Sequence, residues 1–347
     1  MKSDSEDILL KTTGPIFFVS KCFGFFPIIQ SYDSKRRTHS LKSSSLCTIP
    51  AVFTLSLIIG ILIWLAKFFA QIYQWMSEPI IIFMDIVGYT IWAVFGVGFL
   101  FFPRLEKLRQ RKKFLSFWNK LVAFQTKFLA QLNSENEQFY FVQLKNLHRF
   151  LCIQIIVGLL YIIILFSWIV YVYGTSSFDV LFNNMGYHPK ILFFFWETII
   201  IIHYASSFVT LTIVKLFGCM FQSLNNAVTE KSCPYVETIL NLYKELESLV
   251  AEFNNVQLVE HFIEIIVSCL QVVCCTYTTI SDELGSMGSI LNIFVLSYGI
   301  MFAKHIWDYC HNGSLLTHVA SRILKNLENL DQEKLDPKTK QLVTDIW

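Results

Sequence analysis

The chain has 347 residues and a formal net charge of +2, and 54% of its residues are hydrophobic while only 16% are charged. Ordinary soluble domains carry roughly 25% charged residues, and a soluble fold this apolar would expose large hydrophobic patches. The composition therefore excludes a typical soluble enzyme and indicates a membrane protein. The chain also has no Gly-rich phosphate loop, nucleophile elbow or His-Glu-x-x-His motif, so we expect a protein that is not an enzyme.

Six hydrophobic stretches have the length of membrane-spanning helices, although the fifth is marginal. A bilayer core of about 30 Å requires roughly 20 apolar residues of helix. The sequence therefore predicts an all-α, polytopic membrane protein with six transmembrane helices and long cytoplasmic helical extensions. The predicted spans are Cys47–Ala70, Pro79–Phe102, Phe150–Tyr173, Ile191–Phe221, Phe262–Ile280 and Met287–Trp307.

Basic residues divide the connecting segments into two sets. The two tails and the loops after the second and fourth spans hold 24 of the 28 Lys and Arg residues, whereas the alternate loops hold only Lys190. Lys and Arg mark the cytoplasmic side of a membrane protein. Both termini are therefore predicted to be cytoplasmic, in a multi-pass plasma-membrane protein. The predicted division is a cytoplasmic tail over 1–46, a transmembrane domain over 47–310 with cytoplasmic helical loops over 103–149 and 222–261, and a cytoplasmic helical segment over 311–347.

The loop after the fourth span carries a regular apolar pattern. Leu242, Leu246, Leu249 and Phe253 follow one another at spacings of four, three and four residues. Such spacing places them on one face of a helix, as in a heptad seam. Two interpretations are open: the helix packs on its own subunit, or these four side chains form an oligomer contact. The pattern is shorter than three heptads, which favours the first interpretation.

Acidic residues inside predicted spans are unusual, because each charge is costly in lipid. Asp85 and Glu197 each lie about 9 Å from the exterior end of a span, at a rise of about 1.5 Å per residue. Together with aromatic and polar residues in the exterior halves of other spans, they predict a small-ligand pocket between helices. The alternative is an aromatic belt whose acids reach the headgroups. The candidate ligand-binding residues are Asp85, Trp168, Trp196, Glu197, His203, Tyr277 and Asn292.

A second group of polar residues lies where the sixth span ends. His305, Asp308, Cys310 and His311 lack a second ligand pair at the spacing of a zinc site, so solvation by headgroups is the favoured interpretation. The glycosylation sequon at Asn312 is predicted to be cytoplasmic and therefore unmodified. We expect no metal, no cofactor and no nucleic-acid partner.

Three segments resemble elements of the insect gustatory receptor family. Lys21–Pro27 is similar to the Lys-x-x-Gly-x-x-Pro element before that family's first span. Tyr243–Asn254 resembles the segment before its fifth span, and Thr317–Leu330 resembles the stretch after its sixth. The cytoplasmic N-terminus and the short exterior loops are also typical of the family.

The resemblance implies a chemosensory, ligand-gated, non-selective cation channel in the lipid bilayer. It implies a homo- or heterotetramer with other gustatory receptor subunits, and a small-molecule tastant, either a bitter compound or a sugar. It also implies a seventh, pore-lining span with a Thr-Tyr…Gln-Phe signature. The chain stops at Trp347, where that span would begin, so we expect a truncated subunit that does not conduct by itself.

Two other functions are alternatives. A G-protein-coupled chemoreceptor requires an exterior N-terminus, which is opposite to the charge bias of the loops. A six-span transporter usually shows interrupted helices and internal repeats, and the sequence shows neither.

Overall fold

The computed structural model describes residues 5–22, 28–33, 38–43, isolated positions between 49 and 63, and residues 105–106, 109–174, 189–229, 236–280 and 289–328. Across these residues the protein is helical except for one hairpin, so the all-α prediction is confirmed with that exception. The first two predicted spans, Cys47–Ala70 and Pro79–Phe102, lie almost entirely outside the described residues. The elements in chain order are α1 (Ser5–Cys22), β1 (Ile28–Asp33), β2 (Thr38–Ser43), α2 (109–131), α3 (Ser134–Gly174), α4 (Pro189–Thr229), α5 (Val236–Ile280) and α6 (Ser289–Glu328).

The N-terminal tail contains two elements that the sequence analysis did not assign. Helix α1 buries Leu9 and Ile16 against the rest of the chain, and the Thr13 hydroxyl donates to the Leu9 carbonyl at 2.8 Å. Strands β1 and β2 then pair antiparallel, from Ile28 opposite Ser43 to Asp33 opposite Thr38. The tail is therefore a structured part of the protein rather than a plain leader to the first span.

Helices α2 and α3 form a helical hairpin within the predicted cytoplasmic loop. Asn133 caps α3, because its side-chain oxygen accepts a hydrogen bond from the backbone N–H of Asn136 at 2.8 Å. The arms of the hairpin meet where the Phe128 and Tyr140 rings pack edge to face, with centroids 5.3 Å apart. Within the predicted loop 103–149, residues 109–131 and 134–149 are helical.

The four longest helices are longer than a membrane needs. Helices α3 to α6 have 41, 41, 45 and 40 residues. At about 1.5 Å per residue each is roughly twice as long as the bilayer core. The third to fifth predicted spans each fall in one of these helices, and the sixth does so from Ser289 onward; each helix continues beyond its span at the end predicted to be cytoplasmic.

Burial divides these helices into two zones, most clearly in α3. Tyr140, Leu144, Leu147 and Leu151 lie on one face and are buried. Beyond Leu151 the apolar side chains on the opposite, broad face of the helix are exposed, as expected for a helix face that meets lipid. These exposed apolar residues are Ile153, Ile156, Val157, Leu159, Leu160, Ile163 and Ile164, each more than half exposed, and Val142 on the same face is already half exposed.

We call these two parts the packed zone and the apolar zone. The packed zone comprises α1, α2, α3 up to Leu151, α4 from Val209, α5 up to Phe253 and α6 from Val319, whose buried side chains form one continuous core. The apolar zone comprises the rest of α3, α5 and α6, where Leu296, Ile300 and Trp307 of α6 are also largely exposed.

The centre of the packed zone is aromatic. Phe117 of α2, Phe217 of α4 and Phe253 of α5 contact one another, with ring centroids 5.4 to 6.3 Å apart. Such pairs contribute about 0.5–1.5 kcal/mol each beyond their buried area. Phe17 of α1 packs edge to face on Trp118 at 4.7 Å. These contacts join four helices into a single body.

Two ion pairs fix α2 against α5 at the surface of the packed zone. Lys120 binds both carboxylate oxygens of Glu252 at 2.8 and 2.9 Å, and Lys127 pairs with Glu245. The partners are seven residues apart on each helix and run in opposite directions, so the two helices are antiparallel. The Lys-rich loop and the heptad segment are therefore parts of one structure.

Membrane-spanning capacity is confirmed in part. Among the described residues, two helical stretches are long and apolar enough to cross a bilayer, Ser134–Tyr161 and Phe208–Thr229. A third arises if Val236–Gln257 and His261–Val273, which are bent by 60° relative to each other, count as one span. Ser134–Tyr161 is mostly exposed, whereas Phe208–Thr229 is mostly buried. The number of six spans stays a prediction.

Candidate functional site

The predicted ligand pocket cannot be assembled from the part of the protein that the structure describes. Asp85 lies outside the described residues. The other six candidates have helical backbones in the ends of the helices farthest from the packed zone, but their side chains are outside the described set. Trp168 belongs to α3, Trp196, Glu197 and His203 to α4, Tyr277 to α5 and Asn292 to α6.

The heptad seam of α5 is buried inside its own chain. Leu242, Leu246, Leu249 and Phe253 are at most 5% exposed. Phe253 belongs to the aromatic centre described above. The regular spacing therefore reflects one face of α5 that packs into the core of its own chain. The structure therefore supports the interpretation of a helix that packs on its own subunit. An oligomer contact through these four side chains stays a prediction.

The same face of α5 becomes polar beyond Phe253. At helical spacings of four, seven, four and three residues after Phe253 come Gln257, Glu264, Ser268 and Gln271, all of which are buried. We call these four residues the polar stripe. The sequence carried this signal, but the sequence analysis followed apolar residues only and so did not extend the pattern. A buried polar face on a helix in lipid points towards other helices, because hydrocarbon cannot satisfy its hydrogen bonds.

The polar stripe faces helix α6. The Tyr309 hydroxyl of α6 donates a hydrogen bond to the Glu264 carboxylate at 2.7 Å. Further along, a Cβ placed on Gly299 of α6 would lie 3.2 Å from the Cβ of Cys275, one turn beyond the stripe. The missing side chain lets the backbones approach closely, as small residues do in membrane helix pairs. Helices α5 and α6 are thus joined by a hydrogen bond at Glu264 within the stripe and by close packing just beyond its last residue.

Two histidines surround the Tyr309 ring. The buried His305 ring lies 4.7 Å from the Tyr309 ring between centroids, and the His261 ring of α5 lies 5.8 Å from it. His261 in turn contacts the Phe253 ring at 5.7 Å. A continuous set of rings therefore leads from the polar stripe to the aromatic centre of the packed zone.

Some polar atoms of the stripe have spare hydrogen-bonding capacity. Gln257 Oε1 and Ser268 Oγ are buried and have no hydrogen-bond partner among the described residues. Buried polar groups normally find a partner, and an ordered water often supplies it.

The metal interpretation of the group at the end of the sixth span has no support in the described part of the chain. His305 faces Tyr309, whereas Asp308 pairs with Lys304 on the same helix. Cys310 is exposed, and the His311 ring stacks on Trp307 with centroids 6.0 Å apart. The side chains point in different directions, and the described residues contain no group of three His, Cys, Asp or Glu that converges on one point.

Comparison with known proteins agrees with the membrane character of the chain. No curated protein matches it. The sequence model of the 7tm chemosensory receptor family, however, matches residues 13–346, which is nearly the whole chain. This match confirms the resemblance based on three short segments, and it agrees with long helices that expose apolar side chains. The chain belongs to the 7tm chemosensory receptor family.

Proposed function

We propose that this chain is a subunit of a ligand-gated, non-selective cation channel that opens in response to a small tastant. The observation that carries the proposal is the family match over residues 13–346. The subunit lies in the plasma membrane, with α2 and the beginning of α5, which belong to the predicted cytoplasmic loops, on the cytoplasmic side. It assembles as a homo- or heterotetramer with related subunits, as the gustatory resemblance implies.

The proposed mechanism connects an exterior pocket with the packed zone through α5 and α6. A tastant binds between the exterior ends of the helices, near Asp85, Glu197 and the aromatic candidates. It shifts the protein towards the arrangement of α5 and α6 that it binds better. The polar stripe supports this step because Gln257 Oε1 and Ser268 Oγ have no hydrogen-bond partner among the described residues, which leaves them able to accept one in a second arrangement. The ring contacts from Tyr309 through His261 to Phe253 then couple the movement of α6 to the packing of the aromatic centre.

Channel function is tested by electrical recording. The chain, followed by a seventh helix of the family, is expressed in a cell line without taste receptors and exposed to bitter compounds and sugars. We expect a tastant-evoked cation current that persists in excised patches without GTP. A response that requires GTP would contradict the proposal in favour of a G-protein-coupled receptor, and tastant uptake without current would favour a transporter.

The exterior pocket is tested in the same cells by removing charge while keeping shape. Asp85→Asn and Glu197→Gln are expected to raise the half-maximal tastant concentration at least tenfold, the effect of about 1.4 kcal/mol of binding energy. Glu247→Gln, an exposed acid of the packed zone, serves as the matched control and should leave the response unchanged. Surface biotinylation confirms equal expression. Unchanged responses in both pocket variants would identify these acids as headgroup anchors.

A further inference from the structure

The beginning of α2 carries four basic side chains within five positions. They are Arg109, Arg111, Lys112 and Lys113, and we call them the basic turn. Arg109, Lys112 and Lys113 are exposed, and spacings of three and four residues from Arg109 place the two lysines next to it on one face of the helix. Like charges side by side on a helix repel one another, so this face is suited to receive anions.

Little of this charge is balanced by acids of the chain itself. Arg109 pairs with Glu106 at 3.5 Å, in an exposed contact. Among the residues that the structure describes, the other three members of the basic turn form no ion pair. Further along the same helix, Lys120 and Lys127 are each paired with a glutamate of α5. Helix α5 therefore compensates the basic residues in the middle of α2 but not those at its beginning.

A ring contact places the basic turn at the level where the packed zone ends. Phe117, one turn after Lys113, contacts Phe253, the last residue of α5 in the packed zone, with centroids 5.4 Å apart. Because α2 and α5 are antiparallel, residues before Phe117 lie on the side towards which α5 leaves the packed zone. Phe262, the first residue of the fifth predicted span, is 66% exposed and lies nine residues beyond Phe253. The basic turn is therefore at the end of the packed zone that faces the apolar zone.

Helices α3 and α4 mark the same level independently. Phe117 also contacts Phe217 of α4, with centroids 6.3 Å apart. Two residues before Phe217, the Lys215 ammonium lies 3.5 Å from the centre of the Phe150 ring, and Phe150 is the first residue of the third predicted span. Ile153, one turn further along α3, is already exposed. The basic turn thus lies at the depth at which lipid-facing side chains begin, which is the depth of the headgroups.

We propose that the basic turn binds the phosphate groups of anionic phospholipids in the cytoplasmic leaflet and so holds α2 against the membrane surface. Clusters of Lys and Arg immediately on the cytoplasmic side of a span attract such lipids. The contact is electrostatic and exposed, so it weakens with salt. Lys112 and Lys113 carry most of it, because both are exposed and neither is paired with an acid among the described residues. The proposal goes beyond channel function and rests only on the proposed cytoplasmic orientation of α2.

The experiment measures which lipids surround the protein. The purified chain is reconstituted in phosphatidylcholine vesicles that contain spin-labelled phosphatidylserine or spin-labelled phosphatidylcholine with the same acyl chains. Electron paramagnetic resonance gives the fraction of each label that the protein immobilises. We expect a preference for phosphatidylserine of about twofold or more, which decreases as sodium chloride is added. Replacing Lys112 and Lys113 together by Gln should remove most of this preference, whereas replacing both by Arg should keep it.

The matched control replaces Arg322 and Lys325 of α6 together by Gln. Both are exposed, and they lie 15 and 18 residues beyond Trp307, the end of the sixth predicted span. This control removes the same amount of charge far from the membrane and should keep the preference. Equal thermal unfolding midpoints of all variants confirm that each one is folded.

Three results would overturn the proposal. The first is equal immobilisation of both labels by the unchanged chain, and the second is a Gln variant of Lys112 and Lys113 that keeps the preference or a control that loses it equally. The third is loss of the preference in inorganic phosphate at an ionic strength at which sodium chloride preserves it, since the basic turn would then hold a soluble anion. No current is measured, so failure of channel function would leave these results unaffected.

Discussion

At the residue scale, the structure gives two side chains of α5 different roles on one helix face. Leu246 is fully buried in the packed zone, and Glu264, also buried, accepts a hydrogen bond from Tyr309. The spacing of four and three residues is the same in both regions, so geometry alone does not separate them. The chemistry of the side chains separates the two roles. Leu246 contributes buried apolar area, and Glu264 forms a directional contact between two helices.

The burial of Leu246 leads to a prediction about stability. Leu246→Ala should lower the free energy of unfolding by about 2–5 kcal/mol, since it leaves a cavity in a packed core. Glu247→Ala, at the exposed neighbouring position, should change it by less than about 0.5 kcal/mol. Denaturant unfolding of the purified protein measures both. A Leu246→Ala protein of normal stability but altered subunit crosslinking would instead support the oligomer contact.

The contact between Glu264 and Tyr309 leads to a second prediction. Tyr309→Phe removes one hydroxyl and keeps the ring, so it should cost about 1–2 kcal/mol of stability, the effect of losing one partner of a partly buried hydrogen bond to a carboxylate. In the recording experiment it should also reduce the maximal tastant response, because α5 and α6 are less firmly coupled. Cys310→Ser, at the next and exposed position, is the control. Normal stability together with a normal response would remove Tyr309 from the mechanism.

At the scale of elements, the pairing of α5 with α6 is the contact on which the proposed mechanism depends. Gly299 allows the two backbones to come together beside Cys275, and the hydrogen bond between Tyr309 and Glu264 fixes the same pair further along. Residue spacing predicts which face of each helix is buried. It does not predict which helix covers that face, and here the contacts identify it.

This pairing can be tested by a disulfide. Cβ atoms joined by a disulfide are usually about 3.5–4.5 Å apart, and the 3.2 Å between the Cys275 Cβ and a Cβ placed on Gly299 is close to that range. Gly299→Cys should therefore crosslink to Cys275 under mild oxidation. With a protease site inserted between the two helices, the fragments should migrate together on a non-reducing gel and separate when reduced. Gly299→Cys with Cys275→Ser should always separate, and absence of the crosslink would place α6 elsewhere.

At the scale of the whole molecule, the two zones give the charge bias a structural basis. Lys120 and Lys127 of the basic loop are ion-paired to the heptad segment, so residues that the bias assigns to one side of the membrane fold as one body. The described part of the apolar zone carries few charged side chains by contrast, among them the Lys304–Asp308 pair near the end predicted to be cytoplasmic. This arrangement predicts an orientation as well as a fold.

Orientation is tested with epitope tags at Met1 and Trp347. Both tags should bind antibody only after the cells are permeabilised, because both tails belong to the basic, cytoplasmic set. The sequon at Asn312 should remain unglycosylated, so treatment with a glycosidase should not change the mobility of the protein on a gel. Labelling of the Met1 tag on intact cells would contradict the orientation and favour a G-protein-coupled receptor.

The sequence alone determined the membrane class, the family resemblance and the helical character of the chain from the third predicted span onward. These properties depend on composition and on spacing along one helix, both of which are local. It did not determine the hairpin of the N-terminal tail or the docking of α1, because short elements are stabilised by partners distant in the chain. Only the tertiary structure decided that the heptad seam is buried in its own subunit, that Glu264 of the polar stripe accepts a hydrogen bond from Tyr309 of α6, and that the Lys215 ammonium lies over the Phe150 ring. In each case the sequence allows several neighbours, and packing between the helices determines which one makes the contact.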